Sequence, residues 1–257
     1  GVSLNIKANL LISKIDKLKQ FFVCGGGGDE TLHIGACYHY AEQNNVVPKS
    51  LDNLYLGPNA EYTDEELKIF KNYKITEFKT IKQILDLILQ NKIIATCRGR
   101  LEMGPRSLGN RSILADPRFV ENIEKINKMI KNRDFWMPFA PIIVDEKQQV
   151  LISNPKKLES PHMTIAFETF DGKKKFPAAV HQADGTARPQ ILKQEVNPDI
   201  WNLINSFSDE TGIPSLLNTS FNLHGEPIVN NIQDALHVFE NSKLDVLWLN
   251  RHIIEKN

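Results

Sequence analysis

The sequence has few cysteines, no excess of either charge and no long apolar run. Its 3 cysteines in 257 residues are odd in number and lack CxxC spacing, which excludes a disulfide scaffold or zinc ribbon and favours a reducing cytoplasm. Lys plus Arg and Asp plus Glu both total 31, so no global field attracts a polyanion, and nucleic acid is not an expected partner. No apolar run approaches the ~20 residues of a membrane span, and no signal-peptide pattern opens the chain. We therefore expect a cytoplasmic protein with no membrane association.

The first 45 residues begin without a methionine and alternate as a strand does at GVSLN, so we expect a fragment of a longer protein. The pattern predicts a strand, a helix and a second strand, then a turn of four glycines at 25–28 and a helix over 31–43. Backbone amides in such a turn, next to a helix N-terminus, can hold an anion.

Residues 46–78 are rich in Pro, Asn and acidic side chains and indicate a linker with one short helix over 64–73. From residue 79 onward, helical and strand periodicities alternate, which predicts an α/β domain. The predicted helices cover 80–90, 117–131, 198–212 and 233–242. The predicted strands cover 92–97, 139–144, 162–168, 189–195, 214–219 and 245–249.

Arginine is concentrated in one stretch of a chain that otherwise uses lysine. The chain has 23 Lys and 8 Arg, and five of the arginines fall between residues 98 and 118: Arg98, Arg100, Arg106, Arg111 and Arg118. A guanidinium binds carboxylate or phosphate oxygens two at a time and keeps its charge, so the cluster indicates a bound oxyanion. The alternative is a solvated basic face, or structural ion pairs with Glu102 and Asp116.

Two further polar motifs follow predicted strands or turns, where open α/β sheets place ligands. The motif NTSFN supplies the amides and hydroxyls of Asn218, Thr219, Ser220 and Asn222, which can bind a phosphate, a ribose or a small amide. A turn that satisfies its own backbone is the alternative. The motif HQADGTARPQ adds His181, Asp184 and Arg188 around a turn, and because DG is an ordinary turn pair, only His181 and Arg188 indicate a ligand. Convergence of these loops predicts a phosphate-bearing substrate, with catalysis by positioning and charge neutralisation.

A metal site is a further possibility near the glycines. His33 and Cys37 lie four residues apart on one predicted helix, with Cys24 and Asp29 close in sequence. Simple packing of Cys and His on an apolar helix is the competing interpretation. Asp29 suits either an N-cap or one ligand of a site completed elsewhere.

Together these motifs resemble the O-carbamoyltransferase family of nodulation and antibiotic-tailoring enzymes. The matching segments are GRLEMGPRSLGNRSILADPR, PFAP, HQADGTARPQ and GIPSLLNTSFNLHGEPIVNNIQDAL, in the family's order. The resemblance covers nearly the whole chain but only the C-terminal part of the family's usual length. It implies that 1–45 is the end of an actin-like carbamoyl-transfer domain (ASKHA, ribonuclease H-like). It further implies that 46–78 is a linker and that 79–257 is a YrdC-like domain with a twisted mixed sheet and helices.

The resemblance also implies an activity. The YrdC-like domain would join carbamoyl phosphate to ATP as carbamoyl adenylate, and the actin-like domain would pass the carbamoyl group to a hydroxyl of a small molecule. ATP, accompanied by Mg²⁺, and carbamoyl phosphate would be substrates, and a divalent metal such as iron would serve the transfer site. The expected catalytic residues are Arg106, Lys131, Arg188 and Ser220. The expected substrate or nucleotide contacts are Arg111, Asn218, Thr219, Asn222 and His181. Asp29 is the expected metal ligand, and Asn5 matches the asparagine of the family's GVxLN pattern.

Two departures from the family pattern qualify this expectation. Met137 stands where the family has arginine before PFAP, and the family's HxxxH metal ligands are not on this chain. A catalytically impaired module that binds nucleotide or carbamoyl phosphate is therefore the second hypothesis. A YrdC-type tRNA-modifying or RNA-binding protein is the third, and the zero net charge counts against it.

Overall fold

The computed structural model describes residues 2–131 and 137–256, except for the side chains of Met129 and Lys131. Its strands are β1 (Lys74–Glu77), β2 (Ile94–Cys97), β3 (Ser112–Ala115), β4 (Ala140–Val144), β5 (Gln190–Leu192), β6 (Ser215–Ser220), β7 (Val246–Leu249) and β8 (His252–Glu255). Its α-helices are α1 (Ile6–Ser13), α2 (Leu32–Gln43), α3 (Asp64–Leu67), α4 (Ile81–Leu89), α5 (Glu121–Ile126), α6 (Gly172–Lys175), α7 (Pro198–Thr211) and α8 (Ile232–Glu240).

The strands of the described residues form one mixed sheet in the order β1-β8-β7-β2-β3-β6-β4-β5. The pairs β2–β7 and β4–β5 are parallel, and the other neighbours are antiparallel. β6 runs through the interior between β3 and β4, and its first five residues are buried. This position explains its apolar start, because a central strand contacts neighbours on both edges and packs on both faces.

Helix boundaries follow local signals in the sequence. Asn197 caps α7 by accepting from the Ile200 amide at 3.3 Å, Pro198 occupies the first helical position, and Gly212 ends the helix at φ +74°. The buried face of α7, which includes Leu203 and Phe207, packs on the sheet at β4 and β6. Helix α7 thereby supports the strand that carries the NTSFN motif.

The α/β class is confirmed, and most predicted elements of the sheet region are present. The strand predicted over 162–168 is wrong: this stretch makes only an isolated bridge, Phe167 to Ala187, because no strand runs alongside it. The strands β1, β3 and β8 were not predicted. Each is four residues long, and β3 lies inside the polar arginine-rich stretch.

The N-terminal segment differs from its prediction. A 3₁₀ turn, Val2–Leu4, and helix α1 open the segment, and no strand occurs among described residues before β1. Both strands predicted there are therefore wrong, since the segment has no strand to pair with. Helix α2 is present as predicted, and Asn5 caps α1 by accepting from the Ala8 amide at 3.1 Å.

Part of the predicted linker packs with the sheet. Phe70 is fully buried, β1 pairs with β8, and Asn59 forms a bridge with Arg100. The actin-like assignment of 1–45 and the domain limits remain predictions. Among the helices of the described residues, none combines the length and apolarity needed to cross a bilayer.

Candidate functional site

A cavity of about 830 Å³ lies between helix α1 and the loops that carry the sequence motifs. Its volume falls within the range of small-molecule sites. The lining comes from five parts of the chain: Ile6 and Lys7; Arg106; Met137, Pro138 and Phe139; His181, Thr186, Ala187 and Arg188; and Asn222, His224 and Gly225.

A second, smaller cavity of about 60 Å³ adjoins the first, because the two share Arg106, Arg188, Pro138 and Phe139. Its remaining lining consists of Pro105, Ser107, Ala140, Met163, Asn218, Thr219 and Ser220. The two arginines are half-buried and belong to both cavities. The structure therefore brings together residues of three sequence motifs around one pair of guanidinium groups.

The loop that carries Arg106 is held from inside by Glu102. Its buried Oε1 accepts hydrogen bonds from the backbone amides of Leu108 at 2.7 Å and Asn110 at 2.8 Å. Burial raises the pKa of Glu102, although these amide donors favour the charged carboxylate. Asn218 Nδ2 donates to the Ser107 carbonyl at 2.9 Å, which ties the loop to β6 next to Arg106.

Arg111 has contacts of a structural kind. It is fully buried and donates through Nη1 to the Arg98 carbonyl at 2.6 Å and through Nη2 to the Asn230 carbonyl at 3.1 Å. It lines neither cavity. We therefore leave Arg111 out of the proposed substrate contacts, although the sequence grouped it with them.

The other members of the arginine cluster also contact protein groups away from the cavities. Arg98 forms an ion pair with Asp199 and lies 3.8 Å from the Trp248 ring, and Arg118 pairs with Asp116 at 2.6 Å. The exposed Arg100 donates to the Gly57 carbonyl at 3.0 Å. Of the five clustered arginines, Arg106 is the one that lines the cavities.

The HQADG turn places His181 at the large cavity. Its Nδ1 lies 3.1 Å from Asp184 Oδ1, and Asp184 also forms an ion pair with Lys7 of α1. Lys7 donates to Thr186 Oγ1 at 2.8 Å, and the Thr186 amide donates to Asp184 at 3.0 Å. Partial burial raises the pKa of Asp184, but the donors from Lys7 and Thr186 outweigh it and hold that pKa well below its usual range.

Lys7 was not among the residues predicted from sequence, and Asp184 was assigned to an ordinary turn. Their contact spans 177 positions, so no local pattern signals it. Asp184 had a local signal: it lies three residues after His181 in a turn, within reach of the imidazole.

The end of β6 supplies the side chains of the NTSFN motif. Because strand side chains alternate, Asn218 and Ser220 share one face of β6 and Thr219 points to the other. Ser220 Oγ donates to Asn222 Oδ1 at 2.7 Å, and Asn222 Nδ2 donates to the Glu226 carbonyl at 2.7 Å. Asn222 thus directs the hydroxyl proton of Ser220.

Asp29, the expected metal ligand, is exposed at the start of the short helix Asp29–Thr31. Cys24 and Cys37 are exposed, and the described residues contain no group of three His, Cys, Asp or Glu side chains placed to hold a metal ion. The donors described do not fit a transfer-site metal.

The glycine turn before Asp29 is explained by close packing. A Cβ at Gly25 would lie 2.5 Å from Leu54 Cδ1 and 2.8 Å from His162 Cγ, and one at Gly26 would lie 2.2 Å from Thr31 Cγ2. Anion binding by the amides of this turn remains a prediction.

Met137 and Lys131 both precede the PFAP motif in sequence, and the structure describes the side chain of Met137. Met137 is 37% exposed and lines the large cavity, at the position where the family resemblance expects arginine. The side chain of Lys131 lies outside the described residues, so its predicted catalytic role stays a prediction.

Comparison with known proteins gives the family. The family model described as the carbamoyltransferase C-terminus matches residues 85–256. The chain is 41% identical to the uncharacterised protein MJ1051 of Methanocaldococcus jannaschii, over 100% of this chain and 50% of that protein. It is 33% identical to the nodulation protein NolO of Bradyrhizobium diazoefficiens, over 100% of this chain and 48% of that protein.

One solved structure, full-length HypF in the phosphate- and nucleotide-bound form, matches 72% of this chain and 23% of its own length with a TM-score of 0.48 and 16% identity. The chain spans about half the length of the curated relatives it matches. Because the family model covers most of the chain, including every lining residue of the two cavities except Ile6 and Lys7, the chain belongs to the carbamoyltransferase C-terminal family.

Proposed function

We propose that this chain forms carbamoyl adenylate from carbamoyl phosphate and ATP, as the C-terminal part of an O-carbamoyltransferase. The observation that carries the proposal is the position of Arg106 and Arg188, which line a small cavity and the large cavity beside it. In this proposal the small cavity takes the carbamoyl phosphate and the large one takes the nucleotide.

The chemistry requires neutralisation of negative charge at two stages. Carbamoyl phosphate first yields carbamate and phosphate, with water supplying the oxygen; a carbamate oxygen then attacks the α-phosphorus of ATP and pyrophosphate leaves. Both stages spread charge over phosphate oxygens, and forked guanidinium groups fixed beforehand stabilise such charge. In the proposal Arg106 and Arg188 fill this need, and Ser220, oriented by Asn222, contacts the same substrate.

His181 and Lys7 have a binding part in the proposal. Both line the large cavity, and Asp184 connects them. A cation and an imidazole at this wall suit the phosphates of a nucleotide. Mg²⁺ would arrive with ATP as part of the substrate.

Transfer of the carbamoyl group to a small-molecule hydroxyl belongs to the proposal for the whole protein. The donors described in this chain do not fit a transfer-site metal, so no step is assigned to one here. We expect the isolated chain to release pyrophosphate without carbamoylating an added alcohol.

The test is carbamoyl-phosphate-dependent release of pyrophosphate from ATP by the full chain. Arg106→Ala and Arg188→Ala should each lower turnover by about 30-fold to 1000-fold, the range for loss of one preorganised donor. Arg100→Ala is the matched control, since Arg100 lies in the same loop, is exposed and lines neither cavity. Ordinary turnover in both cavity variants would contradict the proposal.

A module that binds without catalysis is the second candidate, and Met137 at the large cavity favours it because the site then has one guanidinium fewer than the family pattern. Binding of ATP and carbamoyl phosphate without pyrophosphate release would decide for this module.

A further inference from the structure

The loop 98–111 between β2 and β3 carries Arg106 and contains neither a helix nor a strand. Gly104 and Gly109 flank Arg106 at φ +101° and +117°, a left-handed region in which glycine is favoured, so the local backbone constrains the loop weakly. The position of Arg106 beside the two cavities therefore depends on contacts with other parts of the chain.

Residues 54–60, which the sequence predicts as part of a linker, lie alongside this loop. Backbone hydrogen bonds join the two segments: the Met103 amide donates to the Leu54 carbonyl at 2.7 Å, the Gly57 amide to the Leu101 carbonyl at 2.9 Å, and the Leu101 amide to the Pro58 carbonyl at 2.9 Å. These three bonds reach the loop before Arg106. The part of the loop after Arg106 is held by side chains, one of which comes from residues 54–60.

That side chain is Tyr55, which is 8% exposed and donates its hydroxyl proton to the Leu108 carbonyl at 2.7 Å. Asn197 Nδ2 donates to the same hydroxyl oxygen at 3.3 Å, and a carbonyl only accepts, so the hydroxyl proton is directed to Leu108. Burial raises the pKa of Tyr55, and the hydroxyl therefore remains a donor at neutral pH.

Leu108 is the point at which the end of the loop is anchored, and it is 3% exposed. Its carbonyl also accepts from Gln190 Nε2 at 3.1 Å, and its amide donates to Glu102 Oε1 at 2.7 Å. One residue separates Leu108 from Arg106. A shift of the Leu108 carbonyl therefore moves the backbone that carries the Arg106 guanidinium.

Resting on the proposed function, we infer that Tyr55 is a positioning residue, whose hydroxyl holds the Leu108 carbonyl and thereby places the Arg106 guanidinium at the carbamoyl phosphate cavity. Tyr55 lines neither cavity, so it acts through the loop and not on the substrate. Position matters here because a misplacement of about 1 Å at a reacting centre can cost about a hundredfold in rate. Residues 54–60 are then a support of the site as well as a connection between segments.

The experiment is a double-mutant cycle in the full chain with Tyr55→Phe, which removes the hydroxyl and keeps the ring. Turnover is measured as pyrophosphate release from ATP, and carbamoyl phosphate affinity is measured by calorimetry. Tyr55→Phe should lower turnover by about tenfold in the wild type and by less than about twofold in Arg106→Ala, where no guanidinium is left to misplace. In Arg188→Ala the tenfold loss should persist. A tenfold loss in Arg106→Ala as well would overturn the inference.

Tyr62→Phe is the matched control. Tyr62 is also 8% exposed, and its hydroxyl accepts from the Arg251 amide at 3.1 Å and lies 2.9 Å from His252 Nδ1 of β8. This variant loses a half-buried or buried hydroxyl contact outside the loop, and it should keep turnover within about twofold of the wild type. Urea unfolding of both variants reports their stability. An equal loss of turnover in Tyr62→Phe would assign the effect to general destabilisation and overturn the inference.

Gln190→Leu keeps the inference testable if Tyr55→Phe does not fold, because Gln190 supplies the other side-chain donor to the Leu108 carbonyl. It should lower turnover by about threefold in the wild type and leave Arg106→Ala unchanged, and equal losses in both backgrounds would contradict the inference.

Failure of the proposed function gives a different result. If the wild type releases no pyrophosphate, the proposed function fails, and the same cycle is evaluated from carbamoyl phosphate affinity alone. A loss of affinity confined to chains that retain Arg106 supports positioning by Tyr55, and any other pattern overturns it.

Discussion

The segment 2–56 and the sheet region 74–256 are stabilised in different ways. Of the 16 large apolar side chains that are exposed among described residues, 11 lie in 2–56, whereas the strands and nearly all core residues lie after residue 56. The segment attaches mainly through polar contacts, including Asn9 Nδ2 to the Thr164 carbonyl at 2.7 Å and Lys14 to Glu168 at 2.5 Å. Apolar burial therefore stabilises one wall of the site, whereas the other wall, α1, is held mainly by a few polar contacts. We expect α1 to open at lower free energy than the sheet region.

The largest expected effect comes from a pair of truncations that compares the packing of the sheet region with that of the segment 2–56. Phe207→Ala in α7 removes a fully buried ring from the core and should lower the free energy of unfolding by roughly 3 to 5 kcal/mol. Leu11→Ala in α1 removes a side chain that is 68% exposed and should cost less than about 0.5 kcal/mol. Urea unfolding of both variants gives the two values. Similar losses would show that α1 is as firmly packed as α7.

The second prediction concerns a substitution in the part of the large cavity's lining that the sheet region contributes. Met137→Arg should place a guanidinium at a partly exposed position of the lining, where the proposal puts the nucleotide, and tighten ATP binding by roughly 1.5 to 3 kcal/mol, the range of a charge-assisted hydrogen bond. Calorimetric titration measures the change. Met137→Leu is the control, because it keeps the apolar volume without charge. Unchanged affinity together with altered stability would show that Met137 has a packing function.

The third prediction uses pH to loosen the segment 2–56 selectively. His162 packs against Phe22, with ring centroids 6.2 Å apart, and burial lowers its pKa to about 4. Its buried Nδ1 has no partner among described residues, so a second ring proton finds no acceptor there. When the segment opens, His162 has an ordinary pKa near 6.5 and binds a proton around that pH. In the packed state His162 binds the same proton only near pH 4.

The direction of the pH effect on stability follows from the difference between these two pKa values of His162. Stability from His162 is complete above about pH 6.5 and is lost as the pH falls towards 4, because the opened state binds more protons in that window. Hydrogen-exchange protection of residues 20–30 should fall by on the order of 1 to 2 kcal/mol between pH 7 and pH 4.5, with β6 less affected. His162→Leu should remove this dependence. Equal loss in the segment and in β6 would indicate global acid unfolding instead.

Sequence patterns predicted the sheet region better than the segment 2–56. Strand β7 is a continuous apolar run because it is buried on both faces, and β6 begins with the buried pair Leu216 and Leu217. Helix α7 carries both of its end signals. The N-terminal residues alternate as a strand does, but the described chain offers them no strand neighbour, so they fold as a turn and a helix. Local pattern was insufficient there because a strand depends on its partner.

The site was predictable in part for a similar reason. The predicted site residues Arg106, Arg188 and His181 and the four polar residues of NTSFN stand in motifs with turn glycines or at strand ends. Each of them lines at least one of the two cavities. Arg111 stands in the same motif as Arg106, but it turns into the protein and donates to backbone carbonyls, and its predicted substrate contact stays a prediction. Lys7 was missed because its partners in the HQADG turn are joined to it only by the tertiary fold.

The smallest expected effect concerns Lys7, the charged residue that α1 contributes to the large cavity. Lys7→Met should weaken ATP binding by only about threefold, since its side chain is 43% exposed and already paired with Asp184, so solvent and that carboxylate both screen its charge. The effect should shrink further in 0.5 M salt. Lys14→Met is the control: Lys14 caps the same helix and pairs with Glu168, but it lines neither cavity. Removing Lys14 lowers the net charge by the same amount, so an equal loss in both variants would reflect general attraction of anions.

A loss in Lys7→Met alone would show that the loosely packed segment supplies a contact to the nucleotide. Opening of α1 and nucleotide release would then be coupled, because bound nucleotide stabilises the closed segment by the same free energy that Lys7 adds to binding.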